Sequence, residues 1–160
     1  MNELTHIDGD GAARMVDVSG KERTARTAEA EGVLVVGREL MRTLGSGQVP
    51  KGNVYEVARL AGIMGAKRTS ELIPLCHPLA LTHAGVSFER GEDRIVIRAI
   101  AKTTGETGVE MEALTAVTVA GLTLYDMLKA LSKELRLEGV RLVAKSGGRS
   151  GAWTASPVRP

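Results

Sequence analysis

Aromatic residues are almost missing from this chain of 160 residues, which contains one Trp, two Tyr and one Phe. The core therefore has to be built from Ala, Val, Leu, Ile and Met. The apolar fraction of 43% is enough for one domain spanning residues 1–160, with flexible ends expected at about 1–11 and 149–160. The same shortage disfavours an RNA-binding sheet, because the candidate strand Arg94–Lys102 has no ring on which a base could stack.

Cysteine and net charge are equally scarce. Cys76 is the single cysteine, so the chain forms no intramolecular disulfide, which fits a reducing cytosol. The first residues, MNELTHIDGDG, contain no apolar segment of the kind found in signal peptides, and we therefore expect a cytoplasmic protein. A formal charge of +2 is too small to argue for a nucleic-acid partner.

Long uncharged runs are also missing, which argues against a membrane span of ~20 apolar residues. The candidate run Ala113–Tyr125 is shorter than that and is bracketed by Glu112 and Asp126, so burial inside the protein explains it better. It belongs to Gly108–Leu135, which we predict to be one long helix whose small residues let another backbone come close. A buried stripe recurs at three- and four-residue steps, at Leu114, Val117, Gly121, Leu124, Leu128 and Leu131.

Charged residues cluster at the two ends of this predicted helix. Glu110 and Glu112 lie in its first turn, whereas Asp126 and Lys129 are three residues apart near the other end. Fourteen residues at ~1.5 Å each separate Glu112 from Asp126 by roughly 20 Å. A site containing both would need a two-fold dimer with antiparallel helices. Taken alone, the helix favours a simpler interpretation: Glu110 and Glu112 interact with the helix dipole, and Asp126 and Lys129 form a solvated ion pair.

The remaining pattern predicts an α+β fold, namely a ferredoxin-like antiparallel sheet with helices packed on one face. Asn53 followed by Glu56 is typical of a helix N-terminus. The two prolines of Pro74–Pro78 indicate an irregular, stiff segment. The predicted elements are a short strand at Met15–Val18, a strand ending in Val33–Val36, helices at Arg38–Leu44 and Val54–Ala66, a hairpin of Val86–Phe88 with Arg94–Lys102, and a last strand at Val140–Ala144.

Several basic residues fall at loops or helix ends close to glycines, where side chains and backbone N–H groups can converge on a phosphate. Ordinary surface charge explains each of them taken alone. The run from Lys145 to Gly148 is the better candidate, because paired glycines expose backbone donors beside a lysine. The candidate phosphate ligands are Lys51, Lys67, Arg68, Lys145 and Arg149.

A proton-transfer role is open to several side chains. His77, held in the rigid Pro74–Pro78 turn, could orient a substrate or move a proton, and a capping or core role is as plausible. Cys76 is either a nucleophile or a small buried apolar residue. Asp126 and Lys129 are the pair we select for proton transfer, with the outcome depending on burial. The few His and Cys residues disfavour a structural zinc site, while a catalytic metal bound by carboxylates stays open.

Three stretches resemble the cyclic pyranopterin monophosphate synthases, a family of molybdenum cofactor biosynthesis enzymes. They are KGNVYEVARLAGIMGAKRTSELIPLCHPL, GVEMEALTAVTVAGLTLYDMLKA and VRLVAKSGG, and the start LTHIDGDGAARMVDVSGKERTAR is similar too. The resemblance implies a ferredoxin-like subunit, dimers assembled into a homohexamer, and active sites between subunits. It implies a lyase that converts 3′,8-cyclo-7,8-dihydro-GTP to cyclic pyranopterin monophosphate and releases diphosphate.

The resemblance also implies residue roles. Asp126 and Lys129 would be the catalytic pair. The other residues would bind the substrate: Leu75, Cys76 and His77 by lining its pocket, Glu110, Met111 and Glu112 by contacting base or sugar, and Lys51, Lys67, Arg68 and Lys145 by holding phosphates. No metal and no resident cofactor are implied, although Mg²⁺ accompanying the triphosphate stays open.

Two residues depart from the family pattern. Asn53 stands where an aspartate is expected, which keeps a helix cap, and Gly121 stands where alanine is usual, at a helix-interior cost of ~1 kcal/mol unless close packing compensates. Two other classes compete with the enzyme. A non-catalytic module that binds a purine nucleotide for regulation explains the lysines equally well, and RNA binding is weaker for lack of aromatic residues.

Overall fold

A computed structural model describes residues 6–46 and 53–156 of the chain. These described residues form five strands and four helices. In chain order they are β1 (Thr24–Val35), α1 (Arg38–Gly45), α2 (Val54–Lys67), α3 (Thr69–Leu72), β2 (Leu81–Arg90), β3 (Arg94–Gly105), α4 (Glu110–Leu128), β4 (Arg136–Ser146) and β5 (Trp153–Thr154).

The strands form one antiparallel sheet in the order β2-β3-β1-β4-β5. In β1, the central strand, Ala28, Ala30 and Leu34 are buried while Glu29 between them is exposed, which is the alternation expected when one face of a strand meets a core. Helices α2 and α4 pack on each other, α4 against β1, β3 and β4, and α2 against β2. The predicted α+β class is confirmed, and β1-α2-β2-β3-α4-β4 follows the predicted element order.

The contact between α2 and α4 depends on small side chains. A Cβ atom at Gly62 would lie 2.8 Å from the carbonyl oxygen of Ala116 and 3.1 Å from the Cβ of Ala120, so only glycine allows this approach. At Gly121 a Cβ would lie 2.6 Å from Cδ1 of Leu137 in β4. Gly121 therefore lies in close contact with the sheet and not with α2.

Helix α4 is shorter than predicted. It begins at Glu110 rather than Gly108 and ends at Leu128 rather than Leu135, so the end of the predicted stripe, Leu131, is 47% exposed. The backbone N–H groups of Leu131 and Ser132 both donate to the carbonyl of Leu128, which turns the chain back. This turn buries Leu135 and aligns β4 beside β1. By length and composition α4 could cross a membrane, but its buried residues belong to the protein core.

Other boundaries differ from the prediction as well. Met15–Val18 is not a strand; the carbonyl of Val16 lies in hydrogen-bonding distance of the His77 side chain instead of pairing in the sheet. The last predicted strand, Val140–Ala144, is extended at both ends as β4. Strand β5 was missed, since its two residues are defined by pairing with Ala144 and Lys145 and not by a pattern of their own.

The N-terminus of α2 yields a first testable expectation. The Asn53 side-chain oxygen accepts a hydrogen bond from the backbone N–H of Glu56 over 3.3 Å, as predicted, while the Glu56 carboxylate pairs with Arg59. Replacing Asn53 by Ala leaves a helix N–H without this acceptor and should lower the free energy of unfolding by ~1 kcal/mol in urea titrations. Asn53→Asp keeps an acceptor and is the matched control; a loss in both variants would contradict a capping role.

Candidate active site

Two clefts meet at the N-terminus of α4. The larger has a volume of about 650 Å³ and the smaller about 270 Å³. They share part of their lining, which comes from the loop between β3 and α4, from the first residue of α4, and from the chain before β1. The shared residues are Lys21, Thr107, Gly108 and Glu110. A ligand can therefore occupy both clefts at once.

The smaller cleft brings together two stretches that are far apart in the sequence. The irregular Pro74–Pro78 segment supplies one wall and the first turn of α4 supplies another, with part of the chain before β1 opposite them. Its lining includes six predicted substrate-binding residues, namely Leu75, Cys76, His77, Glu110, Met111 and Glu112.

Glu112 is the most deeply buried carboxylate in the part of the chain that the structure describes, with 4% of the residue exposed. Its pKa is raised to about 7, mainly because burial removes the water that stabilises the charged form; a backbone hydrogen bond lowers the pKa and the nearby charge of Glu110 raises it. Burial and then the negative charge of Glu112 raise the pKa of the Cys76 thiol. Cys76 is therefore protonated at neutral pH, which argues against a thiolate nucleophile. Glu112 sits near the midpoint of its titration and can give or take a proton.

His77 is fixed by the backbone of a distant residue. Its Nε2 lies 2.7 Å from the carbonyl oxygen of Val16. A carbonyl only accepts, so Nε2 carries the hydrogen and donates it, and in the neutral ring the lone pair remains on Nδ1. The prediction of an immobilised imidazole is confirmed, although the partner that immobilises it was not foreseen.

The larger cleft has a mixed but strongly charged lining. Four basic side chains face it from β1, from the chain before β1 and from the end of β4, and three carboxylates alternate with them. Lys145 Nζ and Glu110 Oε1 are 3.0 Å apart, and each side chain is only 29% exposed. The basic residues are Lys21, Arg26, Lys145 and Arg149, and the acidic ones are Glu22, Glu106 and Glu110.

Arg26 was not identified from the sequence. Its Nε donates to the carbonyl of Gly105 over 2.8 Å and its Nη2 to that of Glu106 over 3.0 Å, so one guanidinium holds the loop that leads into α4. On its other side, a Cβ at Gly148 would lie 2.1 Å from Nη1. Gly148 has φ +71°, a conformation that glycine adopts without strain. Arg26 therefore joins the two walls of the larger cleft.

Gly148→Ala is expected to push Arg26 away from the loop, because the new methyl group occupies the position of Nη1. Gly139→Ala is the matched control: Gly139 also has a positive φ, 62°, and nothing lies within 4 Å of its added Cβ. Both variants carry a backbone cost of roughly 1–2 kcal/mol. The Gly148 variant should lose at least ~1 kcal/mol more in urea unfolding. Equal losses would contradict the contact.

The remaining predicted site residues lie elsewhere. Asp126 and Lys129 form an exposed ion pair, Oδ1 to Nζ 2.7 Å, near the end of α4 remote from the clefts. The Asp126 carboxylate raises the pKa of the Lys129 ammonium, which keeps it protonated. Lys67 and Arg68 are exposed at the end of α2, and the described residues that line the clefts include none of these four. Lys51 lies outside the described residues.

Metal ligands do not cluster in residues 6–46 and 53–156, where no group of three or more His, Cys, Asp or Glu side chains could hold an ion. Besides Arg26, Lys21 and the backbone around Val16 were not predicted as parts of a site. They come from a segment without regular structure, where the sequence pattern indicated only a short strand at Met15–Val18.

Comparisons with known proteins agree with one another. The family model described as "MoaC family" matches residues 15–148. A relative from Methylobacterium nodulans is 57% identical over 160 residues, covering 99% of this chain and 100% of the relative. One from Novosphingobium aromaticivorans is 56% identical over 156 residues (98% and 99%), and one from Corynebacterium efficiens 55% over 154 residues (96% and 99%). All three relatives are named cyclic pyranopterin monophosphate synthase.

Proposed function

The chain belongs to the MoaC family, and from this premise we propose that it is a cyclic pyranopterin monophosphate synthase of molybdenum cofactor biosynthesis. The relatives described above are all synthases, and nothing in these comparisons supports the regulatory nucleotide-binding module considered as an alternative. In finer terms, the enzyme is a lyase that rearranges 3′,8-cyclo-7,8-dihydro-GTP and releases diphosphate.

The observation that carries the proposal is the union of two chemically different clefts at the start of α4. The substrate combines a triphosphate with a fused ring system. The larger cleft, with Lys145, Arg149 and Lys21, suits the phosphates, since cations and backbone donors converge there. The smaller cleft, with Glu112 and His77, suits the rings, which need hydrogen-bond acceptors and groups that exchange protons.

Glu112 is the group best placed to move a proton. A pKa of about 7 means that it is charged in about half of the molecules at neutral pH. Such a carboxyl can serve as a general acid towards a leaving nitrogen or oxygen and as a general base towards a ring C–H, because both of its protonation states are populated near neutral pH. Ring opening and reclosure need both transfers. Any Mg²⁺ is assigned to the triphosphate and belongs to the substrate rather than to the protein.

Asp126 and Lys129 enter the proposal through a second subunit. They lie fourteen and seventeen residues after Glu112, or roughly 20 to 25 Å along the helix axis, too far for one small ligand in a single chain. Two antiparallel copies of α4 would bring one chain's pair to the other chain's clefts. Apolar side chains that are 44–61% exposed support an interface beside these helices. They are Val57, Leu60, Met64 and Leu122.

The proposed assembly is a homohexamer built from dimers in the cytoplasm, without nucleic acid or membrane as a partner. Light scattering tests the assembly directly. A monomer that retains full turnover would contradict the shared site and leave the assignment of the two clefts to the substrate untouched.

The decisive experiment supplies the purified protein with enzymatically generated 3′,8-cyclo-7,8-dihydro-GTP. Diphosphate release and the fluorescence of the oxidised pterin product are followed in the same reaction. Both signals should rise together in a ratio of one to one. Binding of the ligand without either signal would overturn the synthase and favour a nucleotide-binding module.

A further inference from the structure

The chain before β1 forms a wall of the site without regular structure of its own. Residues 6–23, here called the N-terminal segment, contain one isolated bridge, Ile7 to Ala13, and no helix or strand of the sheet. The Asp8 carboxylate closes a local turn by accepting from the N–H groups of Asp10 and Ala12. Even so, the segment supplies His6, Val16, Val18, Gly20, Lys21 and Glu22 to the two clefts.

A segment without regular structure is held in place by hydrogen bonds to the rest of the protein. At its end, Arg23 donates to the carbonyl of Thr104 over 3.0 Å. In its middle the tie is the hydrogen bond from His77 Nε2 to the carbonyl of Val16, which spans 61 positions of sequence. Backbone carbonyls carry no sequence information, so the specificity of this tie comes from the histidine.

The backbone on both sides of His77 is conformationally restricted. This residue stands between Cys76 and Pro78, Pro74 restricts the backbone three residues earlier, and the Cys76 N–H donates to the carbonyl of Ile73 over 3.1 Å. The imidazole therefore projects from a stiff turn onto a segment that has little structure of its own. Since Nε2 is committed to Val16, this nitrogen is not available to take a proton from a substrate.

We propose that His77 is a positioning residue, which holds the N-terminal segment in place as the outer wall of both clefts. Only the expected effect on turnover rests on the proposed synthase function. The position of the N-terminal segment is a property of the protein without substrate. Loss of the hydrogen bond frees Val16, Val18 and Lys21 together, because these residues share one segment. The smaller cleft then opens to water and loses the wall that faces Glu112.

Two substitutions separate this role from a proton-transfer role. In glutamine the side-chain nitrogen is as many bonds from Cβ as Nε2 is in histidine, so His77→Gln keeps a donor for the Val16 carbonyl. In asparagine the amide is one bond shorter, so His77→Asn lacks that donor. Neither amide titrates near neutral pH, so neither replaces histidine as a general base. His83→Asn, at an exposed histidine of β2, is the matched control.

Limited proteolysis tests the wall without any substrate. Trypsin cuts after Arg14 and Lys21, within the segment, and cleavage follows the population of the open form. His77→Asn should be cut there roughly 3- to 10-fold faster than wild type, the population change that one lost hydrogen bond produces. His77→Gln and His83→Asn should match wild type. Cleavage after Lys102, which lies inside β3 and is paired with both β1 and β2, requires the sheet to open and should not change. Equal cleavage of the Asn and Gln variants would overturn the proposal.

Turnover gives a second, independent reading. Under the proposal His77→Asn has a higher KM than His77→Gln, because in the Asn variant the substrate must also order the segment. If Gln and Asn are equally inactive while trypsin finds the segment intact in the Gln variant, His77 transfers protons and the proposal fails. Absence of turnover in the wild type would overturn the synthase alone, since the proteolysis result does not depend on it.

The wild-type protein provides a test that needs no variant. Nitrogen-15 NMR of the imidazoles distinguishes the two neutral tautomers, and His77 should carry its hydrogen on Nε2. A ring with its hydrogen on Nδ1 alone cannot donate to Val16, and that result would overturn the proposal even if His77→Asn did not fold.

Discussion

Asp126→Asn and Lys129→Ala are each expected to lower kcat by about 10²- to 10⁴-fold and to leave the oligomer intact. Both side chains are exposed near the end of α4, so their loss removes no packing. Lys129 is held protonated by Asp126, which makes it a donor of protons or of charge stabilisation rather than a base. Light scattering checks the assembly, and diphosphate release measures turnover. Lys133→Ala, at an exposed lysine after the helix, controls for the lost charge.

Mixing two inactive variants tests whether the site is shared. A Glu112→Gln chain lacks the cleft carboxylate, and a Lys129→Ala chain lacks the ammonium at the other end of α4. If each site takes its cleft from one subunit and Lys129 from the other, half of the dimers formed after subunit exchange are mixed, and each has one intact site of two. Turnover should return to about a quarter of the wild-type value. No recovery after verified exchange would place all of these residues in one chain's site or remove the pair from the mechanism.

Glu112→Gln should produce the other large effect, in two measurable quantities at once. Turnover is expected to fall about 10²- to 10⁴-fold, because the amide neither gives nor takes a proton near neutral pH. Stability should change in the opposite direction. Folding raises the pKa of Glu112 from 4.5 to about 7, so the folded protein binds a proton that the unfolded chain has already released.

The sign follows from this difference in proton binding. Below pH 4.5 the carboxyl is protonated in both states and contributes nothing. As the pH rises towards 7, the wild type loses about 3 kcal/mol of unfolding free energy, because the unfolded chain gains more from ionisation than the buried residue does. The Gln variant avoids this loss. Its melting temperature should exceed that of wild type by roughly 6–12 °C above pH 7 and match it near pH 4.

Thermal melts at pH 4, 6 and 8 measure this gap. Glu71→Gln, at an exposed glutamate of α3, should show no such trend. A gap that is the same at all three pH values would mean that Glu112 titrates alike in the folded and unfolded states. The buried-carboxyl account of the smaller cleft would then be wrong.

Local patterns predicted much of the fold correctly, because they report on short-range physics. The Asn53 cap, helix α1 and the β2-β3 hairpin all follow from residues that interact within a few positions. The small residues of α4 also predicted close packing, and Gly62 meets Ala116 there. The predicted end of α4 was wrong because tertiary contacts are not visible in a local pattern: the chain leaves the helix after Leu128, and Leu135, beyond the turn, is buried in the core.

The site was predictable only where its residues stand in motifs. Cys76, His77 and Glu112 were identified and meet in one cleft, although nothing in a periodicity brings residue 77 to residue 112. Arg26 and Val16 were missed for a physical reason. The Arg26 guanidinium donates to the backbone carbonyl of Gly105, and the backbone carbonyl of Val16 accepts from His77. Such contacts depend on which distant stretches of backbone lie beside each other, and a local sequence pattern carries no record of that.

The ion pair between Lys145 and Glu110 has a thermodynamic consequence for the whole site. A phosphate that engages Lys145 competes with Glu110 for the same ammonium and leaves that carboxylate uncompensated. The negative charge of Glu110 already favours the protonated form of Glu112. Anion binding in one cleft and proton uptake in the other are therefore linked equilibria, each strengthening the other by the same factor. An anion bound in the larger cleft would thus favour the protonated form of Glu112 before any bond in the substrate changes.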